Sequence, residues 1–95
     1  MKKGRASHSS LFIVCSSAGN PDTRVAATAS KKVSKTAVGR NHSRRMIYEA
    51  VRPIFNSIRP GIHAIVFAKS GTDRLLFSEL KKEISSLFAK AGLLK

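Results

Sequence analysis

The amino-acid sequence predicts an α+β fold in which a basic helix crosses between two strands of a small mixed β-sheet and a second helix follows at the C-terminus. Two apolar runs, at residues 11–15 and 62–68, have the length of strands. Apolar residues recur at helical spacing over residues 37–58 and 77–91. This order indicates a sandwich in which helices cover one or both faces of the sheet.

The N-terminal third predicts two strands joined by a turn. No polar side chain interrupts the run at residues 11–15, so we expect a strand that is buried on both faces. Residues 19–22, Gly-Asn-Pro-Asp, favour a turn because glycine and asparagine tolerate positive φ and proline fixes φ near −65°. Apolar and more polar residues then alternate over residues 24–33, which predicts the second strand of a hairpin.

The helix predicted from about residue 37 separates an apolar surface from a basic one. Its apolar stripe consists of Ile47, Ala50, Val51, Ile54 and Ile58. At about 100° per residue, the adjoining arc carries Arg40, Asn41, Arg44, Arg45, Tyr48 and Arg52. We expect the stripe to pack and the arc to face outward. Because Pro53 lacks an amide donor, the helix is predicted to end or kink near Arg52.

The C-terminal half predicts one more strand and one more helix. Residues 62–68 form the strand, and because a helix connects it to the strand before, the two are expected to pair in parallel. The final helix is predicted over residues 77–91, and Gly92 is a plausible stop. Its apolar face consists of Phe77, Leu80, Ile84, Leu87, Phe88 and Ala91.

Length and charge narrow the class of protein. The chain has 95 residues, 18 Lys and Arg against 5 Asp and Glu, and a formal net charge of +13. We therefore expect a single domain, residues 1–95, that binds a polyanion such as RNA, because so much uncompensated positive charge attracts one. The lone Cys15 is expected to be a buried small hydrophobe in a reducing cytoplasm. No segment has the length of a membrane span or of an export signal's apolar core, so we expect a cytoplasmic protein without membrane contact.

The residues expected to carry the function form a basic cluster. The candidates for RNA binding are Lys31, Lys32, Lys35, Arg40, Asn41, His42, Arg44, Arg45 and Tyr48. Guanidinium groups make bidentate contacts with phosphate oxygens, and lysine adds a mobile charge. A basic helix face is often merely solvated, but no acidic residue lies between residues 31 and 45, which favours contact with RNA. For Tyr48, an ordinary surface aromatic and a stacking partner for a base remain open.

The acidic residues do not predict a catalytic site. They are Asp22, Glu49, Asp73, Glu79 and Glu83, spread over a turn, a loop and two helices, with no cluster to bind a catalytic metal. Asn41, together with phosphate oxygens, is a candidate metal ligand shared with RNA. His8 and His63 lack Cys or His partners at ligand spacing, so structural roles are expected for both. The chain alone is expected to be non-catalytic.

Several sequence signatures occur in a recognisable order. They are Ser-Lys-Lys-Val at residues 30–33, Lys35, Ala-Val at 37–38, Arg40-Asn41 with Arg44-Arg45, Glu49-Ala50, Ile-Val-Phe-Ala at 65–68 and the closing helix at 80–94. With them, the chain resembles the protein subunit of bacterial ribonuclease P over most of residues 24–94. Arg40, Asn41, Arg44 and Arg45 then correspond to the family's signature helix.

The resemblance implies a fold, a reaction and partners. The fold is a ribonuclease P protein-like sandwich with a left-handed βαβ crossover, although such crossovers are generally right-handed. The implied activity is endonucleolytic removal of the 5′ leader of precursor tRNA, a hydrolysis that the RNA subunit catalyses. Divalent magnesium would be held mainly by that RNA, with none bound by this chain alone. The implied partners are ribonuclease P RNA and precursor tRNA, with no obligate protein partner.

The sequence departs from the family pattern in three ways. His42 stands where the signature has an arginine, so affinity for RNA is expected to rise as the pH falls, and Tyr48 stands where a basic residue is common. Residues 2–5 resemble the segment that follows the family's N-terminal helix, which is therefore either absent or encoded upstream of Met1. Leader contact would then rest on the basic helix and on the sheet near Phe12 and Val14, the candidates for a leader cleft.

Two other classes of nucleic-acid-binding protein are considered. A general structured-RNA-binding or ribosomal-type protein would share the basic layout without a role in tRNA processing, and would co-purify with ribosomal particles. A DNA-binding architectural protein would place the basic helix in the major groove, but the sheet and the terminal helix fit no common DNA-reading motif. Under the leading hypothesis, Arg44 and Arg45 both face outward. Replacing both by alanine should therefore weaken RNA binding and leave thermal unfolding nearly unchanged.

Overall fold

The chain folds into strands and helices in the order that the sequence predicts, with one strand added. A computed structural model describes residues 5–29, 33, 35–69, 72 and 75–95. Its elements are β1 (Arg5–His8), β2 (Phe12–Ser17), β3 (Arg24–Ala29), α1 (Ala37–Val51), a 3₁₀ helix (Arg52–Ser57), β4 (His63–Ala68) and α2 (Phe77–Lys90). The sequence did not indicate β1. The predicted continuation of β3 over residues 30–32 lies outside the described residues, and Val33 lies in a turn.

The strands of the described chain form one mixed sheet in the order β1-β2-β4-β3. β1 pairs with β2, and β2 with β4, in antiparallel orientation. β3 pairs with β4 in parallel, with Ala27 opposite Val66, so the predicted parallel pair around α1 is confirmed. The left hand of this crossover stays a prediction.

The predicted hairpin at residues 19–22 is wrong, because β4 lies between β2 and β3. Asn20 instead ties the end of β2 to the segment that enters β4. Its backbone N and its side-chain Nδ2 both donate to Gly61 O at 3.0 Å, and Nδ2 also donates to Ser17 O at 3.1 Å. The turn chemistry was recognised correctly, but the turn carries the chain across β4 instead of back along β2.

The hydrophobic core lies on one face of the sheet, where both helices pack. The sheet contributes Phe12, Val14, Ala27, Ala64, Val66 and Ala68, and the helices contribute Ile47, Ala50, Val51, Leu80, Ile84, Leu87 and Phe88. The other face is open to solvent, since Ile65 and Phe67 of β4 are exposed there. The described helices therefore cover one face of the sheet and not both, the two arrangements that the sequence left open.

β2 corrects two expectations about burial. Buried and half-buried side chains alternate along it, so the prediction of a strand buried on both faces is wrong. The reason is that the helices pack on one face alone. Cys15 consequently lies half-buried on the open face and not inside the core.

α1 begins and ends where its sequence predicts. Thr36 precedes the helix, and its Oγ1 accepts a hydrogen bond from Gly39 N at 3.0 Å, which satisfies one of the unpaired amides of the first turn. The helix ends at Val51, and the chain continues as the 3₁₀ helix, because Pro53 cannot donate to the preceding turn. Ile47, Ala50 and Val51 are buried, so the predicted apolar stripe is confirmed over this stretch.

α2 packs beside α1 and has a cap at each end. At the start of α2, Glu79 Oε1 accepts a hydrogen bond from Leu76 N at 3.0 Å. At its end, Gly92 adopts φ +74° and Leu93 N donates to Phe88 O at 3.0 Å, which is the stop that the glycine predicted. Phe77 was expected on the apolar face but is exposed in the first turn. No described helix combines the length and apolar character needed to cross a bilayer.

Candidate nucleic-acid interface

The predicted RNA-binding residues of α1 lie on its solvent side. Asn41, His42, Arg44, Arg45 and Tyr48 are exposed, and Arg40 is half-buried. Lys35 is exposed just before the helix, while Lys31 and Lys32 lie outside the described residues. Because the opposite side of α1 packs on the sheet and on α2, the helix presents its basic arc as a fixed surface.

Arg44 and Tyr48 are attached to the sheet by hydrogen bonds that the sequence did not reveal. Arg44 Nε donates to Ala27 O at 3.2 Å, and Ala27 N donates to Tyr48 Oη at 3.1 Å. Ala27 lies on β3, the edge strand of the sheet, whose outer backbone groups would otherwise lack partners. The two side chains therefore cap this edge, and the bond of Arg44 argues against the expectation that its replacement leaves thermal unfolding nearly unchanged, which stays a prediction.

Arg40 also has a local partner. Its Nη1 donates to Lys35 O at 3.2 Å, which links the first turn of α1 to the segment before it. This bond to its backbone oxygen holds Lys35 near the basic arc.

A basic groove runs along the exposed side of α1. It has a volume of about 280 Å³ and is lined by Asn41, Arg44, Arg45, Tyr48, Glu49 and Arg52. The acid in this set, Glu49, pairs with Arg52 at 3.3 Å across one helical turn. The groove therefore keeps a positive excess from Arg44 and Arg45, and this charge suits a phosphate backbone.

His42 is not part of this groove. It lines a separate cavity of about 30 Å³ with Ser43, Met46, Thr72, Leu75 and Leu80, on the side of α1 that faces α2. The structure thus brings Asn41, Arg44 and Arg45 together but places His42 on the flank of the helix. Its predicted contribution to RNA binding stays a prediction.

The leader-cleft candidates Phe12 and Val14 must be corrected. Their side chains are 0% and 1% exposed, because they point into the core beneath the helices, so neither can contact an RNA. Their neighbour Ile13 points to the open face, which also carries Ile65 and Phe67. The error is one residue of strand register, which exchanges the two faces of a sheet.

An ion-pair cluster lies at one end of the open face. Asp22 Oδ2 contacts Arg24 Nε at 2.7 Å, and Asp22 Oδ1 is hydrogen-bonded to His63 Nε2 at 2.8 Å. The bonds to His63 and Arg24 hold the pKa of Asp22 below its ordinary value. This contact gives His63 the structural role that was expected. On β1, the exposed His8 accepts a bond from Lys90 Nζ through its backbone oxygen at 3.4 Å.

The acidic side chains of the described residues make contacts that stabilise the fold. Glu83 Oε1 accepts from Ser9 Oγ at 2.9 Å and from Leu11 N at 3.2 Å, which ties α2 to the loop before β2. Among the described residues, no three His, Cys, Asp or Glu side chains lie close enough to hold a metal ion together. Asn41 alone would offer one amide oxygen beside two arginines. A metal ion at Asn41 therefore needs most of its ligands from elsewhere.

Two exposed features escaped the sequence analysis. Phe55 in the 3₁₀ helix is exposed, and its position after Pro53 signals a break in the helix but not an exposed aromatic surface. Ile65 and Phe67 are exposed as well, because alternate residues of a strand that is covered on one face lie on the other. All three belong to surfaces that could contact a partner.

Comparison with known proteins identifies the family. The family model described as Ribonuclease P matches residues 1–92. A "Ribonuclease P protein component" of Symbiobacterium thermophilum is 37% identical over 85 residues, which cover 90% of this chain and 72% of that protein. One from Synechococcus is 35% identical over 72 residues, or 76% of this chain and 54% of that protein.

A solved structure supports the same conclusion at the level of the fold. The RNase P protein of Staphylococcus aureus superposes with a TM-score of 0.86, covering 99% of this chain and 86% of that one at 22% identity. Fold, basic helix and sequence similarity therefore agree, and the chain belongs to the bacterial ribonuclease P protein family.

Proposed function

We propose that this chain, as the protein subunit of ribonuclease P, binds the RNA of that enzyme through the exposed arc of α1. The observation that carries the proposal is the basic groove, in which Arg44 and Arg45 lie beside Asn41 on a helix whose other side is fixed in the core. Such a surface contacts phosphates in a set geometry and reads little sequence. Lys35 is exposed just before α1, and Lys31 and Lys32 add two further positive charges to the same stretch of the sequence.

We further propose that the open face of the sheet receives the 5′ leader of precursor tRNA. Ile13, Ile65 and Phe67 offer an apolar surface for unstacked bases, and Arg24 lies at one end of the same face. The contact with the leader is thus assigned to accessible residues of the sheet instead of the buried Phe12 and Val14. The leader would therefore contact side chains that alternate with those of the core.

The chain assists the reaction by binding and orienting RNA. Magnesium held mainly by the RNA would supply the activation of water for hydrolysis, and Asn41 would contribute at most one ligand beside phosphate oxygens. Arginines near phosphates reduce the repulsion between RNA segments. We expect this effect to lower the concentration of divalent cation at which the RNA works.

The test is reconstitution with a bacterial ribonuclease P RNA at low magnesium, with cleavage of precursor tRNA as the readout. We expect the wild-type chain to stimulate cleavage and Arg45→Gln to stimulate it less. Lys81→Gln removes an exposed charge from α2 and is the matched control, which should behave as the wild type. Binding of the RNA without stimulation would contradict the proposal and favour a general RNA-binding protein.

The leader is tested separately by comparing precursor tRNA with tRNA that lacks a leader. We expect Phe67→Ser to weaken binding of the first and to leave the second unchanged, because Phe67 lies on the open face. Equal losses with both tRNAs would contradict the assignment of the leader to this face.

A further inference from the structure

We propose that a second groove, between the end of α1 and the edge of β3, takes an unpaired nucleobase of the bound RNA. This inference rests on the proposed function and adds the chemical class of what this groove binds. The groove has a volume of about 410 Å³ and is lined by Val25, Tyr48, Val51, Arg52, Phe55 and Asn56. That volume falls in the range of about 300–1,000 Å³ that is typical of small-ligand sites.

Two exposed aromatic rings form walls of this groove. Tyr48 on α1 is 38% exposed, and Phe55 in the 3₁₀ helix is 40% exposed. Aromatic faces of this kind stack with the unpaired bases of single-stranded RNA. The Tyr48 ring is already held, because its Oη accepts from Ala27 N at 3.1 Å, so little conformational freedom is lost when a base stacks on it.

Polar groups lie beside the aromatic walls. Asn56 presents a side-chain amide, which can donate and accept hydrogen bonds at a base edge. Val25 lies two residues before Ala27 on the edge strand, so its backbone N–H and C=O point to the same outer side as those that Tyr48 and Arg44 cap. The groove thus combines surfaces for stacking with donors and acceptors for the edge of a base.

Charge and continuity favour a nucleotide as the occupant. Tyr48 and Arg52 line both this groove and the basic groove of α1, so the two form one continuous depression. A phosphate backbone in the basic groove would place a neighbouring base at the aromatic walls. Arg52 is oriented at the junction by Glu49, 3.3 Å away, and can contact the phosphate or stack on the base.

The experiment compares two single-stranded RNA pentamers with the same number of phosphates. One carries the fluorescent base 2-aminopurine at its centre, and the other has no base at that position. We expect the wild-type chain to bind the 2-aminopurine pentamer at least about fivefold more tightly, as stacking of one base implies. Equal affinities would overturn the proposal and leave phosphate contact through α1 intact. Failure of both pentamers to bind would overturn the proposed function as well.

Variants locate the base. Phe55→Leu keeps an apolar side chain but removes the ring, and we expect it to abolish most of the preference for the 2-aminopurine pentamer. Phe77→Leu is the matched control, because Phe77 is 39% exposed but lies at the start of α2, outside the groove. Arg45→Gln should weaken the binding of both pentamers equally. An unchanged preference in Phe55→Leu, or an equal loss in Phe77→Leu, would overturn the proposal.

Discussion

Arg44 and Arg45 are neighbours on the same exposed arc, yet they differ in their attachment to the fold. Both line the basic groove, but Arg44 Nε also donates to Ala27 O on the edge strand at 3.2 Å. Replacing each by alanine removes one positive charge from the same turn of α1. The two variants therefore affect RNA binding alike but should separate when stability is measured.

The size of the difference follows from the hydrogen bond. A typical intramolecular hydrogen bond contributes about 0.5–1.5 kcal/mol of net stability. For a chain of this length, 1 kcal/mol corresponds to a change in melting temperature of about 4–8 °C. We therefore expect Arg44→Ala to melt about 2–12 °C below the wild type, whereas Arg45→Ala should change the free energy of unfolding by no more than about 0.5 kcal/mol.

Thermal and urea unfolding of both variants without RNA measures the stability. Binding to ribonuclease P RNA over a range of salt concentrations measures phosphate contact, and each variant should reduce the slope of log affinity against log salt by about 0.7–0.9 if one phosphate contact is lost. Equal unfolding free energies for the two variants would refute the role of the bond between Arg44 and Ala27. An unchanged salt slope in both would refute the phosphate contacts.

Three further predictions concern the fold around the site. Tyr48→Phe leaves the Ala27 amide without its side-chain partner and should lower the unfolding free energy by about 0.5–1.5 kcal/mol, measured by urea titration. The pKa of Asp22 is lowered in the folded protein, so the stability that its ionised carboxylate contributes is complete above about pH 3.9 and is lost as the pH falls through the lower pKa of the folded state. Asp22→Asn should therefore flatten the acid limb of a plot of melting temperature against pH. Gly61→Ala should destabilise more than Gly19→Ala, because both glycines have positive φ but only a Cβ at Gly61 would lie 2.8 Å from a backbone oxygen; equal melting temperatures would contradict this.

The helices were predictable because their signals are local. The stripe that includes Ile47 and Ala50, and the break at Pro53, are all contained in neighbouring residues of α1. Gly92 at the end of α2 adopts the positive φ that its residue type allows. In each case the side-chain pattern within one segment was enough, so the bounds agree with the structure.

The sheet was less predictable because strand order depends on distant segments. The turn at residues 19–22 has the same chemistry whether it forms a hairpin or carries the chain across another strand. β1 has only one apolar residue, the small Ala6, and is a strand because β2 offers it a pairing edge, with Ala6 opposite Cys15. A short apolar run such as residues 11–15 likewise does not say which of its side chains face the helices.

The candidate site was likewise predictable where its features are local and unpredictable where they depend on distant segments. Helical spacing correctly placed Arg45 and Asn41 on the outside, since exposure follows from one helix and its apolar stripe. The bonds of Arg44 and Tyr48 to Ala27 join elements far apart in the sequence, and no local pattern encodes them. The groove that Phe55 lines likewise exists only after α1 has packed beside β3.

The placement of the acids explains why the positive charge remains concentrated on α1. Asp22 pairs with basic side chains near the open face, Glu79 caps α2, and Glu83 holds the loop before β2. Among the acids that the structure describes, only Glu49 lines the basic groove, and its partner is Arg52 on the next turn. These described acids therefore leave the charges of Arg44 and Arg45 uncompensated, and a surface with uncompensated positive charge attracts an RNA backbone.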